Sequence, residues 1–313
     1  MKRFSCGHSF LLGVVKPVGL SSHDVVARVR RAVGESKVGH AGTLDPLASG
    51  VLLMGIGQAT RLLGLVTLDD KRYRARISFG SETSTDDAEG EVVRTAPVDS
   101  RFLDREFARD ALASLVGDHM QVPPAYSAIS VDGMRAYALA RKGAEVELAA
   151  RPITVISSEL VAISQDDGTV SWTCDFHVSK GTYIRSLARD LGRSLGTAAH
   201  LSALERTASG TISLDRCMTL DGLAEGGLDA ALAHMVDPLS TLLYRSLPIS
   251  DGELADVLNG RQLDLPKDDA SVLPEGEPVC LVHDARLMGI WERRNGRLAA
   301  RSNFPSGIEG VGR

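Results

Sequence analysis

The chain has 313 residues, 43% of them hydrophobic, with a formal net charge of -5. Such a chain can bury a substantial core in one large or two modest domains and reads as an ordinary globular protein. No apolar run approaches the roughly eighteen residues of a membrane span, and MKRFSCGHSFLLGVV offers too short an apolar stretch before Lys16 and Pro17 for a signal peptide, so the cytoplasm is the expected location. Cys6, Cys174, Cys217 and Cys280 lie far apart with no C-x-x-C spacing, which argues against a zinc ribbon or a disulfide framework and predicts reduced thiols.

In chain order, Ser21 and Asp24 have the spacing of a capping box, and Val25, Val29 and Val33 follow at helical intervals before Gly34. Residues 22–33 therefore read as an amphipathic helix whose opposite face carries Arg28 and Arg31. Gly39 to Gly50, GHAGTLDPLASG, gathers a histidine, a threonine and an aspartate among glycines and a proline. Glycine permits backbone angles closed to other residues, and Pro46 biases Asp45 away from helical angles, so this is a shaped loop able to aim a carboxylate into a cleft. Apolar Val51 to Ile56 follows, so the loop lies between core elements, where an idle charge is costly. Residues 72–79 alternate, with Tyr73, Ala75, Ile77 and Phe79 on one face and Arg72, Arg74, Arg76 and Ser78 on the other, which predicts a half-buried strand with a basic outer face.

The acidic run from Glu82 to Glu91 lacks EF-hand spacing and reads as a solvated loop, with no metal assigned. Residues 103–116 read as a helix with Phe107, Ala111, Leu112 and Leu115 inward, and the two prolines of Gln121 to Tyr126 require extended chain. Val170 to Val178 alternates as a strand. After KGTYIR, a strand-to-helix junction, Leu187, Leu191 and Leu195 mark a helix ending at Gly196. Short strands at 278–283, 286–292 and 297–302, the last two joined by Asn295-Gly296, indicate a small β-rich domain with a boundary near residue 246. The last ten residues, rich in Gly and Ser, are expected to fray.

Lys37 to Leu63, KVGHAGTLDPLASGVLLMGIGQATRLL, resembles the signature of the TruB-type tRNA pseudouridine synthases. The resemblance extends over most of the first 210 residues through VVKPVGLSSHDVV, KRYRARISFG and SKGTYIRSL. It implies that Asp45 is the catalytic nucleophile, that Tyr73 stacks on the target base and serves in proton transfer, and that Arg185 pairs with Asp45. That pairing is expected to favour the ionised carboxylate. It further implies that His40 enters the space left by a flipped base, that Tyr183 and Leu204 line the pocket, and that Lys16, Gly42 and Thr43 belong to the substrate-binding loops. The chain departs from the family at Val15, where aspartate is usual, at Ser130 in place of lysine, and at Glu205 in place of the first of two arginines.

The implied fold is mixed α/β, with a catalytic domain over residues 1–245 around an antiparallel sheet and a PUA-like RNA-binding β-barrel over 246–313. The implied activity is isomerisation of uridine to pseudouridine in the T-arm loop of tRNA, at position 55 by tRNA convention. That reaction is redox-neutral and calls for no metal or organic cofactor. The expected partner is tRNA, with no membrane and no obligate protein partner. Two rival readings stand beside it, a non-catalytic RNA-binding or tRNA-folding protein and a guide-RNA-dependent relative using a similar aspartate loop. The net charge is awkward for an RNA binder, but its distribution helps. Residues 11–76 hold ten Lys or Arg against five acids, so basic charge clusters near the loop, whereas residues 247–313 hold eight against eleven.

Overall fold

The computed structural model describes residues 5–66, 70–127, 130–131, 134–135, 148–265 and 273–312. Its main feature is an eleven-stranded sheet. The principal strands are β1 (Phe10–Lys16), β2 (Ala48–Ile56), β3 (Lys71–Phe79), β4 (Gly117–Gln121), β5 (Arg151–Asp166), β6 (Thr169–Val178) and β7 (Ala199–Ser209). Across the sheet they run β1-β2-β7-β3-β6-β5-β4, with Met218–Thr219 outside β1 and Val38–Ala41 paired to β2. Pairing is antiparallel except where β7 meets β2 and where Met218–Thr219 meets β1. The β2–β7 contact joins the two halves of the sheet, and the Gly39–Gly50 loop feeds directly into it.

Helices pack on each half. Helix α1 (Ser22–Val33) has the expected capping box on Ser21 and Asp24, ends at Gly34 in the left-handed region, and buries Val25, Val26, Val29 and Val33. These residues share a core cluster with Phe10, Leu12, Leu52 and Met54. Helix α2 is shorter than its pattern suggested. A 3-10 turn at Ser100–Leu103 comes first, Asp104 then caps Glu106 and Phe107, and the α-helix spans Arg105–Ala113. The Asp104 cap fixes Arg105 as the first helical residue. Helix α3 (Ile184–Ser194) and α2 cover the other half of the sheet over Phe79, Trp172 and Phe176, with Leu187 and Leu191 of α3 in the same core cluster.

From Arg245 onward the chain builds a second, five-stranded sheet. Its strands are β8 (Arg245–Pro248), β9 (Leu263–Asp264), β10 (Pro278–His283), β11 (Arg286–Arg294) and β12 (Arg297–Ile308), ordered β8-β10-β11-β12-β9. This is the curled half-barrel of a PUA-like domain. The cores are not divided as the sheets are: Cys280, Leu287, Ile290, Phe304 and Ile308 share one apolar cluster with Leu11, Val51, Leu53 and Leu62.

The tail corrects an expectation. Phe304 and Ile308 are fully buried, β12 reaches Ile308, and the Glu309 amide donates to the Ser9 carbonyl at 2.8 Å. Composition suggested fraying, but the pairing of Ile308 with Leu287 and the bond from Glu309 to Ser9 hold the segment.

The β2–β7 junction makes a direct demand on the sequence. Gly50 has φ +105°, and a Cβ there would lie 2.2 Å from the Arg206 carbonyl oxygen and 2.7 Å from the Arg206 nitrogen. Backbone cannot yield as a flexible side chain can. Gly50→Ala is therefore expected to destabilise the fold by on the order of 3 kcal/mol, read as a lower urea midpoint. An unchanged midpoint contradicts this close backbone approach.

Candidate active site

The loop before β2 is fixed residue by residue. The buried Ser22 hydroxyl accepts from the Leu44 amide at 2.9 Å and donates to the Leu44 carbonyl at 3.1 Å. Fully buried Lys16 donates through Nζ to the carbonyls of Pro17, Leu20 and Pro46 at 2.9, 2.6 and 3.4 Å. Gly19 N–H reaches the same Pro46 carbonyl at 2.8 Å, and Ala48 N–H donates to Asp45 O at 3.0 Å. Residues on both sides of Asp45 are thus pinned, which orients its carboxylate without any direct restraint beyond its own ion pair. Burial pulls the Lys16 ammonium down to about 8.

Asp45 stands where two lobes of a cleft meet. One, of about 270 Å³, is walled by Gly42, Thr43, Lys71, Tyr73, Tyr183, Leu204 and Arg206; the other, of about 810 Å³, is walled by His23, Thr85, Asp87, Glu89 and Tyr126. Thr43, Leu44, Asp45, Ser127 and Arg185 line both. Strand register explains the first wall. Leu204 lies opposite Ala48 on β2 and Ala75 on β3, and Arg206 lies opposite Gly50 and Tyr73, so Leu204, Arg206 and Tyr73 share one face of the sheet. A register shift just after Arg206 bends β7 there.

Arg185, 5% exposed, holds two carboxylates, Asp45 at 2.9 Å through Nη2 and Asp87 at 3.3 Å through Nη1. The same nitrogens donate to the carbonyls of Tyr126 and Thr85, each at 3.0 Å. Desolvation raises the Asp45 pKa, and that effect outweighs the opposing pull of Arg185; the Asp87 charge adds to the rise. The ion pair does favour the ionised form, but burial weighs more. The Asp45 side chain keeps 39% of its surface accessible, but that surface faces the concave cleft. Burial, followed by the charges of Asp87 and Asp45, also raises Glu89.

The residues singled out in the sequence fall into three groups. Asp45, Tyr73, Arg185, Tyr183, Leu204, Gly42 and Thr43 converge on the cleft. Tyr183 precedes α3, its backbone gripped on both sides by Gln121, which donates to its carbonyl at 3.0 Å and accepts from its amide at 2.9 Å. Burial raises the Tyr183 phenol. Lys16 lies behind the loop and supports it. His40 sits beside the cleft on Val38–Ala41, its ring edge-on to His23 with centroids 5.7 Å apart. Among the described residues its Nδ1 is buried without a hydrogen-bond partner, and desolvation, His23 and Arg206 lower its pKa.

The acidic run is a second correction. Glu82, Asp86 and Asp87 are buried, and each faces an arginine of α3. Arg185 takes Asp87, Arg189 takes Asp86 at 2.8 Å, and Arg193 takes Glu82 at 2.7 Å. Helical spacing of four puts the three arginines on one face, so the segment from Glu82 to Asp87 docks on α3 as a series of ion pairs. That spacing is visible in the sequence and is the signal that counter-charges lie opposite. Asp87 and Ser22 are site residues that the sequence reading missed, and Arg206, the retained second arginine of the family's pair, was given no role. Each acts across a long separation, with no local pattern to mark it.

The basic outer face of β3 also differs from expectation. Arg74 makes a two-bond pair with Asp175, directly opposite on β6, and lies opposite Glu205 on β7; Arg76 pairs with Asp166. Cross-strand acids neutralise much of that face.

The sequence matches the family described as TruB family pseudouridylate synthase (N terminal domain) over residues 30–184, and that described as tRNA pseudouridylate synthase B C-terminal domain over residues 185–244. It is 45% identical over 274 residues to the tRNA pseudouridine synthase B of Mycobacterium sp. (strain KMS), covering 87% of this chain and 91% of the relative. The corresponding protein of Nocardia farcinica (strain IFM 10152) is 45% identical over 277 residues, 88% of this chain and 89% of the relative. Among solved structures, a chain of the archaeal box H/ACA sRNP Nop10-Cbf5 complex aligns with a TM-score of 0.67 over 97% of this chain and 87% of that one. At 21% identity this is a likeness of fold.

The electrostatics of the cleft can be tested without substrate. Carbon-13 titration of the Asp45 carboxyl is expected to give a value above the ordinary aspartate range. Asp87→Asn removes a like charge and should lower it, whereas Arg185→Gln removes the opposing cation and should raise it further. Movement in the opposite sense on either substitution contradicts this account.

Proposed function

This chain belongs to the TruB family of pseudouridylate synthases, and we propose on that premise that it isomerises uridine to pseudouridine at position 55, in the T-arm loop of tRNA, with Asp45 as the nucleophile. That it is an RNA pseudouridine synthase follows from the family. The observation that carries the finer reading is Asp45 itself, a carboxylate at the meeting of two cleft lobes, ion-paired to a buried guanidinium and held by a pinned loop.

The reaction breaks the bond between C1′ of ribose and N1 of uracil, turns the base and joins C1′ to C5. A proton leaves C5 and the base gains one at N1, so atoms and charge balance without an oxidant. Attack by Asp45 on either C6 of the base or C1′ of the sugar requires its ionised form. Arg185 favours that form, against the larger effect of burial. Tyr73 and Leu204 present a flat ring and an apolar side chain on one sheet face, suited to hold a flipped base. In this reading the Tyr73 phenol handles the C5 proton, Tyr183 closes the wall, and His40 stands at the cleft edge to occupy the vacated stack. Gly42 and Thr43 offer loop backbone to the nucleotide, and Lys16 acts through the loop it supports. We place the enzyme with its tRNA in the cytoplasm, working without an obligate protein partner. No helix among the described residues is long and apolar enough to cross a membrane.

Docking of the tRNA falls to residues whose charge is not consumed by the sheet. Arg28 and Arg31 are exposed on α1, whose first residue, Ser22, holds the catalytic loop. Replacing both with alanine is expected to weaken tRNA binding and to flatten its salt dependence, by about one unit of slope for each phosphate no longer neutralised, with turnover at saturation near normal. An unchanged slope removes α1 from the interface.

Activity is tested by tritium release from bare tRNA transcript labelled at uridine C5, without guide RNA, and by mapping the modified position. Asp45→Asn should abolish turnover while keeping tRNA affinity within roughly tenfold, about 1.4 kcal/mol. Arg185→Lys keeps the charge but loses the planar fork that spans Asp45 and Asp87, so a large loss of rate with little loss of affinity is expected. Pseudouridine formed by purified Asp45→Asn protein ends the proposal.

A further inference from the structure

Arg206 is 1% exposed and forms no ion pair among the described residues. A buried cation without an anion is costly unless its hydrogens are used, and an apolar side chain of similar size fills such a space at lower cost. Its use is specific. Nε donates to the Val51 carbonyl at 2.7 Å and Nη2 to the Gly42 carbonyl at 3.0 Å, so one edge of the guanidinium ties the start of the Asp45 loop to the strand into which the loop runs. The same residue shapes both glycines that bracket Asp45. Gly42 has φ +73°, and a Cβ there would lie 3.4 Å from Nη1; at Gly50 a Cβ would strike the Arg206 backbone.

We propose that Arg206 is a positioning residue for the reaction, fixing the path of the loop between Gly42 and Val51 and thereby the direction of the Asp45 carboxylate. The inference rests on the reading of Asp45 as nucleophile for its effect on rate, though not for its effect on the loop. Ser22 holds residue 44 and Lys16 holds residue 46, and both act from the side of β1 and α1. Arg206 holds residue 42 from β7, across the sheet. Without it the loop is anchored from one side, and Asp45 can swing away from Arg185. Lysine cannot replace it fully, because a single ammonium lacks the planar edge that meets two carbonyls at once.

The test uses the full chain with Arg206→Lys and Arg206→Met. Amide exchange at Gly42, Thr43, Leu44 and Asp45 is expected to rise by about tenfold or more while β1 and β2 interior amides keep their protection. The single-turnover rate at saturating tRNA is expected to fall by about a hundredfold, with affinity within about threefold and with lysine better than methionine. Wild-type loop exchange in a folded variant overturns the proposal. So does an unchanged rate. A loss confined to affinity makes Arg206 a substrate ligand and equally overturns it. Should both variants fail to fold, exchange of the Arg206 Nε–H in the unaltered protein decides: slow exchange supports the carbonyl tie, and fast exchange refutes it. If Asp45→Asn proves active, the nucleophile reading falls alone, and the loop-exchange measurement still judges Arg206.

Discussion

One guanidinium shared by two carboxylates is the constraint around which the cleft is built. Arg185 cannot leave Asp45 without also leaving Asp87 and two backbone carbonyls, so the cation is fixed before any substrate arrives. Preorganisation of this kind matters because removing one partner of a buried pair typically costs about 3–5 kcal/mol. The opposing pulls on Asp45 come from the same arrangement: the cleft walls withdraw water from the carboxylate, Asp87 repels it, and Arg185 leads the forces that favour its ionised form.

Helix α3 extends that arrangement outward. Its next two arginines, a turn apart, bind Asp86 and Glu82, so the acidic segment is clamped along the helix and brings Asp87 to Arg185. The outer pairs are increasingly exposed, the side chain of Arg189 being 12% and that of Arg193 55% accessible. Solvent screens the outermost pair most, so its value lies more in register than in energy. The inner pair does the opposite, since its charges are shielded from water.

The sheet contributes shape where α3 contributes charge. At the parallel contact of β2 and β7 two backbones approach closely enough to exclude a Cβ at Gly50, and the cleft opens beside that point because the loop feeding β2 must leave the sheet there. On the opposite face Asp175, Glu205 and Asp166 neutralise Arg74 and Arg76. In the proposed reading, an RNA approaching the cleft meets its positive charge on α1 more than on the sheet. The apolar cluster shared by both sheets also couples the C-terminal half-barrel to the strands that carry the Asp45 loop.

The local elements and the chemistry of the loop were legible in the amino-acid order alone. The α1 capping box, the alternation of β3 and β6, three of the five strands of the second sheet and the Asp-Pro turn each depend on residues only a few positions apart, and local sterics and hydrogen bonding decide them. The resemblance carried by the loop, KRYRARISFG and SKGTYIRSL named Asp45, Tyr73 and Arg185, which the structure brings to one cleft. Which charges are put to use was settled by the fold. Whether Glu82 to Glu91 is solvated, whether the arginines of β3 are free, whether the tail frays and what holds Gly42 in place all depend on partners tens to hundreds of residues away. Arg206 and Gly42, for instance, are 164 positions apart. A side chain's charge is written in its own residue, but its desolvation and its counter-charge belong to whatever the fold places opposite it, and in this protein that is what separates a surface acid from a working one.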